Sequence, residues 1–193
     1  MSKLLVGIAL GACLFACSSS SRAEEAQRMF VGTAKCKMCH KTPAQGEQYG
    51  IWEKGPHAKA YESLASEKAM EVAKKKGIAD PQKADECLKC HVTAHGVDEK
   101  YLGTKYTATD GVGCESCHGA GNDYKKKKTM IAALKGEIEP ASVGLVIPDE
   151  KTCVKCHNEE SPFYQEFDFE KMAAKISHKM PEERRAKHKT VSQ

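Results

Sequence analysis

The sequence predicts a mainly α-helical, compact fold in which short helices are joined by long irregular linkers. Three observations carry that expectation. Residues that start and stop helices recur at short intervals, no stretch alternates apolar and polar positions as a strand would, and one pentapeptide, Cys-x-x-Cys-His, occurs four times.

The repeats are Cys36-Lys37-Met38-Cys39-His40, Cys87-Leu88-Lys89-Cys90-His91, Cys114-Glu115-Ser116-Cys117-His118 and Cys153-Val154-Lys155-Cys156-His157. On one helical turn the two thiols share a face, so both reach the vinyl groups of a single porphyrin while the following His meets its iron. Each repeat therefore reads as a covalent c-type haem site, and the four together as a compact multihaem cytochrome c with His40, His91, His118 and His157 as proximal ligands. Structural zinc does not demand a His after every second Cys, and a disulfide framework would not repeat one local pentapeptide. Both readings are weaker for that reason. Only Cys13 and Cys17 lie outside the motifs.

The elements follow in chain order. Lys3 precedes the apolar run Leu4 to Ala16, the pattern of an export leader, and that run is shorter than the roughly 20 residues that a membrane-spanning helix needs. Leu14-Phe15-Ala16-Cys17 or Leu10-Gly11-Ala12-Cys13 resembles a lipoprotein box, with Ser18 to Ser21 as tether, while Ser21-Arg22-Ala23 resembles a small-residue cleavage site. The lipid anchor is preferred, which places the protein in the periplasm, attached to the outer membrane. Residues 1–23 are accordingly leader and tether, 24–180 the haem domain, and 181–193 a basic, flexible tail.

Within the domain, Thr42-Pro43 reads as the start of a helix reaching Trp52. Ser66 caps a helix through Met70 and Ala73 that Gly77 closes, and Asp80-Pro81 starts the helix that delivers Cys87 to His91. Asp149 caps the turn of the fourth motif. Asp168 caps a helix from Phe169 to Ser177, whose Phe169, Met172 and Ile176 form one buried face.

Composition agrees with a haem-filled interior. Charged residues make up 29 % of the chain and aromatics 6 %, too poor a side-chain core for about 170 mature residues, so the porphyrins must supply much of the apolar interior. The chain without its haems is then expected to be unfolded. The formal charge of +4 falls to about +2 without the leader and to about −2 once haem propionates are counted. Nucleic acid is not an expected partner. The Lys125–Lys128 run reads first as a solvated segment and second as a docking patch for an acidic redox protein.

Function depends on the sixth ligands, because an iron with two protein ligands passes electrons whereas an open one binds small molecules. Outside the motifs stand His57, His95, His178 and His188. His57, on a helix start set by Pro56, and His178, at the end of the amphipathic helix, are the favoured ligands. His95 lies four residues after His91 and cannot reach the far side of the same haem, so it serves another haem or none. His188 reads as a solvated tail residue. Met130 is a candidate thioether ligand, and its haem would have the higher potential.

Pro56-His57-Ala58-Lys59-Ala60, Cys87-Leu88-Lys89-Cys90-His91-Val92 and Gly111-Val112-Gly113-Cys114-Glu115-Ser116-Cys117-His118-Gly119-Ala120-Gly121 together resemble the cytochrome c-554 family of tetrahaem c-type cytochromes. The resemblance implies a mainly helical fold with haems in closely stacked pairs, an electron-transfer role, and His57 as a distal ligand, at the third haem. Two positions depart from the family pattern. Where one member of the family has a His after the Gly-rich segment, this chain has Asn122-Asp123-Tyr124 and lysines, and His95 stands where that member has an aromatic residue beside a five-coordinate second haem. The expected function is extracytoplasmic electron transfer between a donor and an acceptor protein, without an enzymatic step. The alternatives are reduction of a small nitrogen or oxygen species at one open haem, and a subunit of a conducting filament.

Overall fold

The computed structural model describes residues 28–189. The leader, with Cys13 and Cys17, lies outside them. Ten short α-helices carry the chain: α1 Thr33–His40, α2 Gln48–Lys54, α3 Ala60–Ser63, α4 Glu67–Lys76, α5 Asp85–His91, α6 Cys114–His118, α7 Lys127–Lys135, α8 Glu150–Cys153, α9 Phe169–Ile176 and α10 Glu182–Lys189. The only β pairing among the described residues is an isolated parallel bridge between Phe30 and Leu102.

Local chemistry explains the helices that match expectation. The Ser66 hydroxyl accepts from the Ala69 amide at 3.2 Å and Gly77 ends α4 in the left-handed conformation. Asp149 and Thr152 form a reciprocal capping box on α8, and the Asp168 carboxylate accepts from the Lys171 amide at 3.0 Å to start α9.

Three expectations are corrected. The helix from Thr42-Pro43 is broken: Pro43–Gln45 is a 3₁₀ turn, and Gly46 and Glu47, at φ 101° and 50°, reverse the chain before α2 begins. Asp80-Pro81 starts a turn, not α5. The Asp80 carboxylate accepts from the Gln82 amide at 3.0 Å and pairs with Lys83 at 2.9 Å, so α5 starts only at Asp85, where Asp85 and Glu86 complement the helix dipole. The apolar face of α9 is not fully buried by protein, and Met172 remains 41 % exposed. Within the expected basic tail, Glu182–Lys189 forms α10, which packs against α7. Glu182 and Glu183 in its first turn and an Arg185–Glu182 ion pair at 3.8 Å favour that helix.

Few side chains are buried: Val31, Leu64, Ala73, Val92, Ala120, Tyr124 and Pro81 form the apolar interior among the described residues. Large apolar residues remain at the surface, Ile147 at 70 % and Phe163 at 52 % exposure. Hydrogen bonds to the third motif compensate. The Glu115 carboxylate, 3 % exposed, accepts from the amides of Val31 and Gly32, both at 2.8 Å, and of Gly121 at 2.6 Å. Thr93 follows the second motif, and its hydroxyl accepts from the Gly113 amide at 2.7 Å and lies 2.8 Å from the Ser116 hydroxyl. Chain segments far apart in sequence are thereby tied to α6.

Candidate haem centre

Three motifs end helices, α1, α5 and α6, which places each Cys pair on one face with its His at the helix terminus. The fourth is different. Its helix α8 stops at Cys153, and the amides of Cys156 and His157 turn back onto the Cys153 carbonyl at 3.2 and 3.0 Å.

Two of the motif histidines have another imidazole opposite. His118 faces His178 and His157 faces His57, with ring centroids 6.0 Å apart in both pairs and planes inclined at 88° and 61°. Two imidazoles that share one metal through nitrogens about 2 Å away have centroids roughly 6 Å apart, so each pair has the spacing of axial ligands on one iron. His57 thus stands opposite the fourth motif, not the third that the resemblance implied. The third motif is met by His178.

The ring nitrogens are held accordingly. Nδ1 of His91 donates to the Ala60 carbonyl at 2.7 Å, that of His118 to Val146 at 3.1 Å and that of His178 to Ile176 at 2.9 Å, while His40 Nδ1 reaches the Gln48 Oε1 at 3.3 Å. Each contact fixes the tautomer that leaves Nε2 for a metal. Phe167 stacks on the His157 ring at 5.0 Å. Burial, and the nearby His157, hold His57 below the usual histidine range. Burial, helped by His178 and His40, does the same to His118 against the opposing pull of the Val146 carbonyl. A metal-ligating imidazole must be neutral, so these environments suit that role.

Packing brings the motifs side by side. α1 packs against α6, so that Cys36, Cys114 and Cys117 line one cavity; the Lys89–Glu160 ion pair joins the second motif to the segment after the fourth; and the His57 carbonyl accepts the Val112 amide beside the third motif while the His57 ring faces His157 of the fourth. First and third motifs are therefore neighbours, as are second and fourth, and third and fourth connect the two pairs. No disulfide joins any of the eight, and no group of three or more His, Cys, Asp or Glu among the described residues has the arrangement of a metal site made by side chains alone.

A cavity of about 420 Å³ lies between the first and third motifs. Cys36, His40, Cys114, Cys117, His118 and His178 project into it beside the apolar Ile51, Trp52, Leu145, Ile147, Ile176, Met130 and Met180. Paired thiols, imidazoles and an apolar wall are the donor set that a covalent porphyrin needs, so the residues present fit the group. Arg184 Nε is buried without a hydrogen-bond partner four residues beyond Met180, and a propionate carboxylate is the kind of acceptor that would satisfy it.

The remaining sequence candidates are placed differently. His95 turns its Nε2 to Asp85, the first residue of α5, at 3.1 Å, and faces no other imidazole among the described residues. Lys125–Lys128 are exposed, and Lys125 contacts Asn122 at 2.8 Å. His188 falls on α10, and its side chain is outside what the structure describes. Sequence reasoning missed Gln48, Phe167, Glu115, Thr93 and Met180. Nothing in their local sequence points to the site, except that Glu115 and Thr93 lie inside or beside a motif.

A helical frame that presents thiols and imidazoles in covalent-haem motifs defines a c-type cytochrome. The family description "Cytochrome c554 and c-prime" matches residues 35–119, which hold the first three motifs. Cytochrome c-554 of Nitrosomonas europaea is 32 % identical over 167 residues, covering 80 % of this chain and 68 % of that protein. The chain belongs to the cytochrome c-554 family. No solved structure matches it. No described helix is long and apolar enough to cross a membrane.

Proposed function

We propose that this c-type cytochrome carries four haems and passes electrons between two redox proteins outside the cytoplasm. The observation that carries the reading is the juxtaposition of motifs, the first and third around one cavity, the second and fourth joined through Lys89–Glu160, and the third and fourth through His57, which would string four cofactors into one chain of neighbours. When bound, the haems supply one-electron chemistry. The protein's own part is to orient them: His118 with His178, and His157 with His57, close both faces of two irons, and a closed iron changes oxidation state without exchanging a ligand.

Export through residues 1–23, with lipidation at Cys17 and attachment to the outer membrane from the periplasmic side, belongs to the same reading, as does a donor and an acceptor protein as partners. Pyridine haemochrome analysis against protein mass should return four haems per chain, all reducible in one reversible titration. Three or fewer, or a haem that reduces irreversibly, overturns the reading. Mass spectrometry of the mature N-terminus separates a diacylated Cys17 from cleavage after Ala23.

A second reading, reduction of a small nitrogen or oxygen species at the second motif, is favoured by one observation. No imidazole faces His91 among the described residues, and His95, the residue nearest in sequence, is committed through Nε2 to Asp85. Electron paramagnetic resonance of the ferric protein decides it. A high-spin signal abolished by cyanide or nitric oxide and retained in His95→Ala supports an open second haem, whereas a wholly low-spin spectrum removes this reading.

A further inference from the structure

We propose that Met130 supplies the sixth ligand to the iron held by His40, so that the first haem has His and Met as its axial pair. The inference rests on the tetrahaem reading above and deepens it. His40 lines the cavity, its Nδ1 is taken by Gln48 at 3.3 Å, and Nε2 is left for the metal. His57 and His178 also line this cavity, but their rings face His157 and His118, and no ring pair among the described residues includes His40. The same cavity presents two thioethers, Met130 and Met180, and no other soft donor beyond the motif cysteines that thioether bonds to haem consume.

The surroundings distinguish the two sulfurs. A side-chain carbon at Gly46 would lie 2.6 Å from the Lys179 carbonyl, 3.1 Å from Pro181 Cδ and 2.8 Å from Gln48 Nε2, so residues 179–181 are packed against the loop that backs His40. Met180 therefore belongs to a segment packed against the Gly46–Gln48 loop. Met130 comes from another wall, half-buried on α7, a helix held in place by α10. A ligand on a packed helix is positioned with little conformational freedom, which offsets the weakness of a thioether as an iron ligand. A His/Met haem is also higher in potential than its bis-His neighbours, which would make the first motif the site where a single electron rests.

The test uses the fully haem-loaded protein and the variants Met130→Ala, Met130→His and Met180→Ala. Wild type should show the weak red-edge absorption of sulfur-to-iron charge transfer in the ferric state and one strongly upfield methionine methyl resonance in the ferrous state. Both signals should survive Met180→Ala and vanish in Met130→Ala, where one haem becomes high-spin and binds cyanide. Met130→His should also abolish them, stay low-spin, and lower one midpoint potential out of four. Absence of both signals from wild type overturns the proposal. So does their survival in Met130→His, or their loss in Met180→Ala alone. Four reversibly reducible haems in the wild type would still stand in every one of those outcomes, so failure here is distinguishable from failure of the electron-carrier reading.

Discussion

His118 and His178 face one another across 6.0 Å with their ring planes crossed at 88°, although sixty residues of chain separate them. The Val146 and Ile176 carbonyls hold the two rings by their Nδ1 atoms, so the crossing is built into the backbone on both sides. Crossed imidazoles leave the two iron dπ orbitals close in energy. The ferric haem at the third motif should accordingly give a broad low-spin resonance with a high maximum g value, more extreme than the 61° pair at the fourth. His178→Ala should remove that resonance alone and create one high-spin iron, measured by low-temperature paramagnetic resonance.

The same experiment on His57 distinguishes the third motif from the fourth. His57→Ala should leave the broad resonance intact and eliminate the other facing pair, because His57 stands opposite His157. Loss of the broad signal instead would return His57 to the third motif.

Glu115 is a structural clasp inside the third motif. Its buried carboxylate accepts three backbone amides, from Val31, Gly32 and Gly121. Hydrogen bonds to a charged acceptor are worth more than neutral ones, and truncation strands their buried donors, so Glu115→Ala should cost on the order of 3–5 kcal/mol. Glu115→Gln keeps one acceptor oxygen and should cost less. Guanidinium unfolding of the haem-loaded variants, followed by far-ultraviolet circular dichroism, measures both.

Gly111 connects the third motif to His57, whose ring faces the fourth. It sits at φ 69°, and a side-chain carbon there would lie 2.8 Å from the His57 carbonyl, which also accepts the Val112 amide at 3.0 Å. Gly111→Ala combines a strained backbone, about 1–3 kcal/mol, with a push on the segment that carries His57. The expected readout is a partly high-spin fourth haem at neutral pH, with the His118–His178 resonance unchanged. A shift of the third haem alone would contradict the linkage.

With so few buried side chains, the chain should hold little tertiary structure before haem attachment. Replacing all eight motif cysteines by alanine should give a protein without near-ultraviolet dichroism and with rapid proteolysis. A cooperative thermal transition in that variant would show that the protein core suffices.

Much of the local architecture is legible in the sequence because it depends on neighbours along the chain. Ser66, Gly77, Asp149 and Asp168 cap or close helices through contacts that span three or four residues, and Cys-x-x-Cys-His encodes its own haem chemistry in one turn. Where local cues compete, the structure departs from expectation. Asp80-Pro81 can open a helix or a turn, and its pairing with Lys83 and Gln82 makes a turn.

By itself, then, the sequence determined the mainly helical class, the family and the four Cys-x-x-Cys-His motifs, all properties of residues adjacent in the chain. Only the tertiary structure decided which distant imidazole meets which motif: His178 opposite His118, His57 opposite His157, and His95 turned to Asp85. Which imidazoles face each other is a relation across space, set by backbone carbonyls such as those of Val146 and Ile176 and by the close packing of Gly111 against the His57 carbonyl. A pattern of spacings along one chain carries no record of that choice.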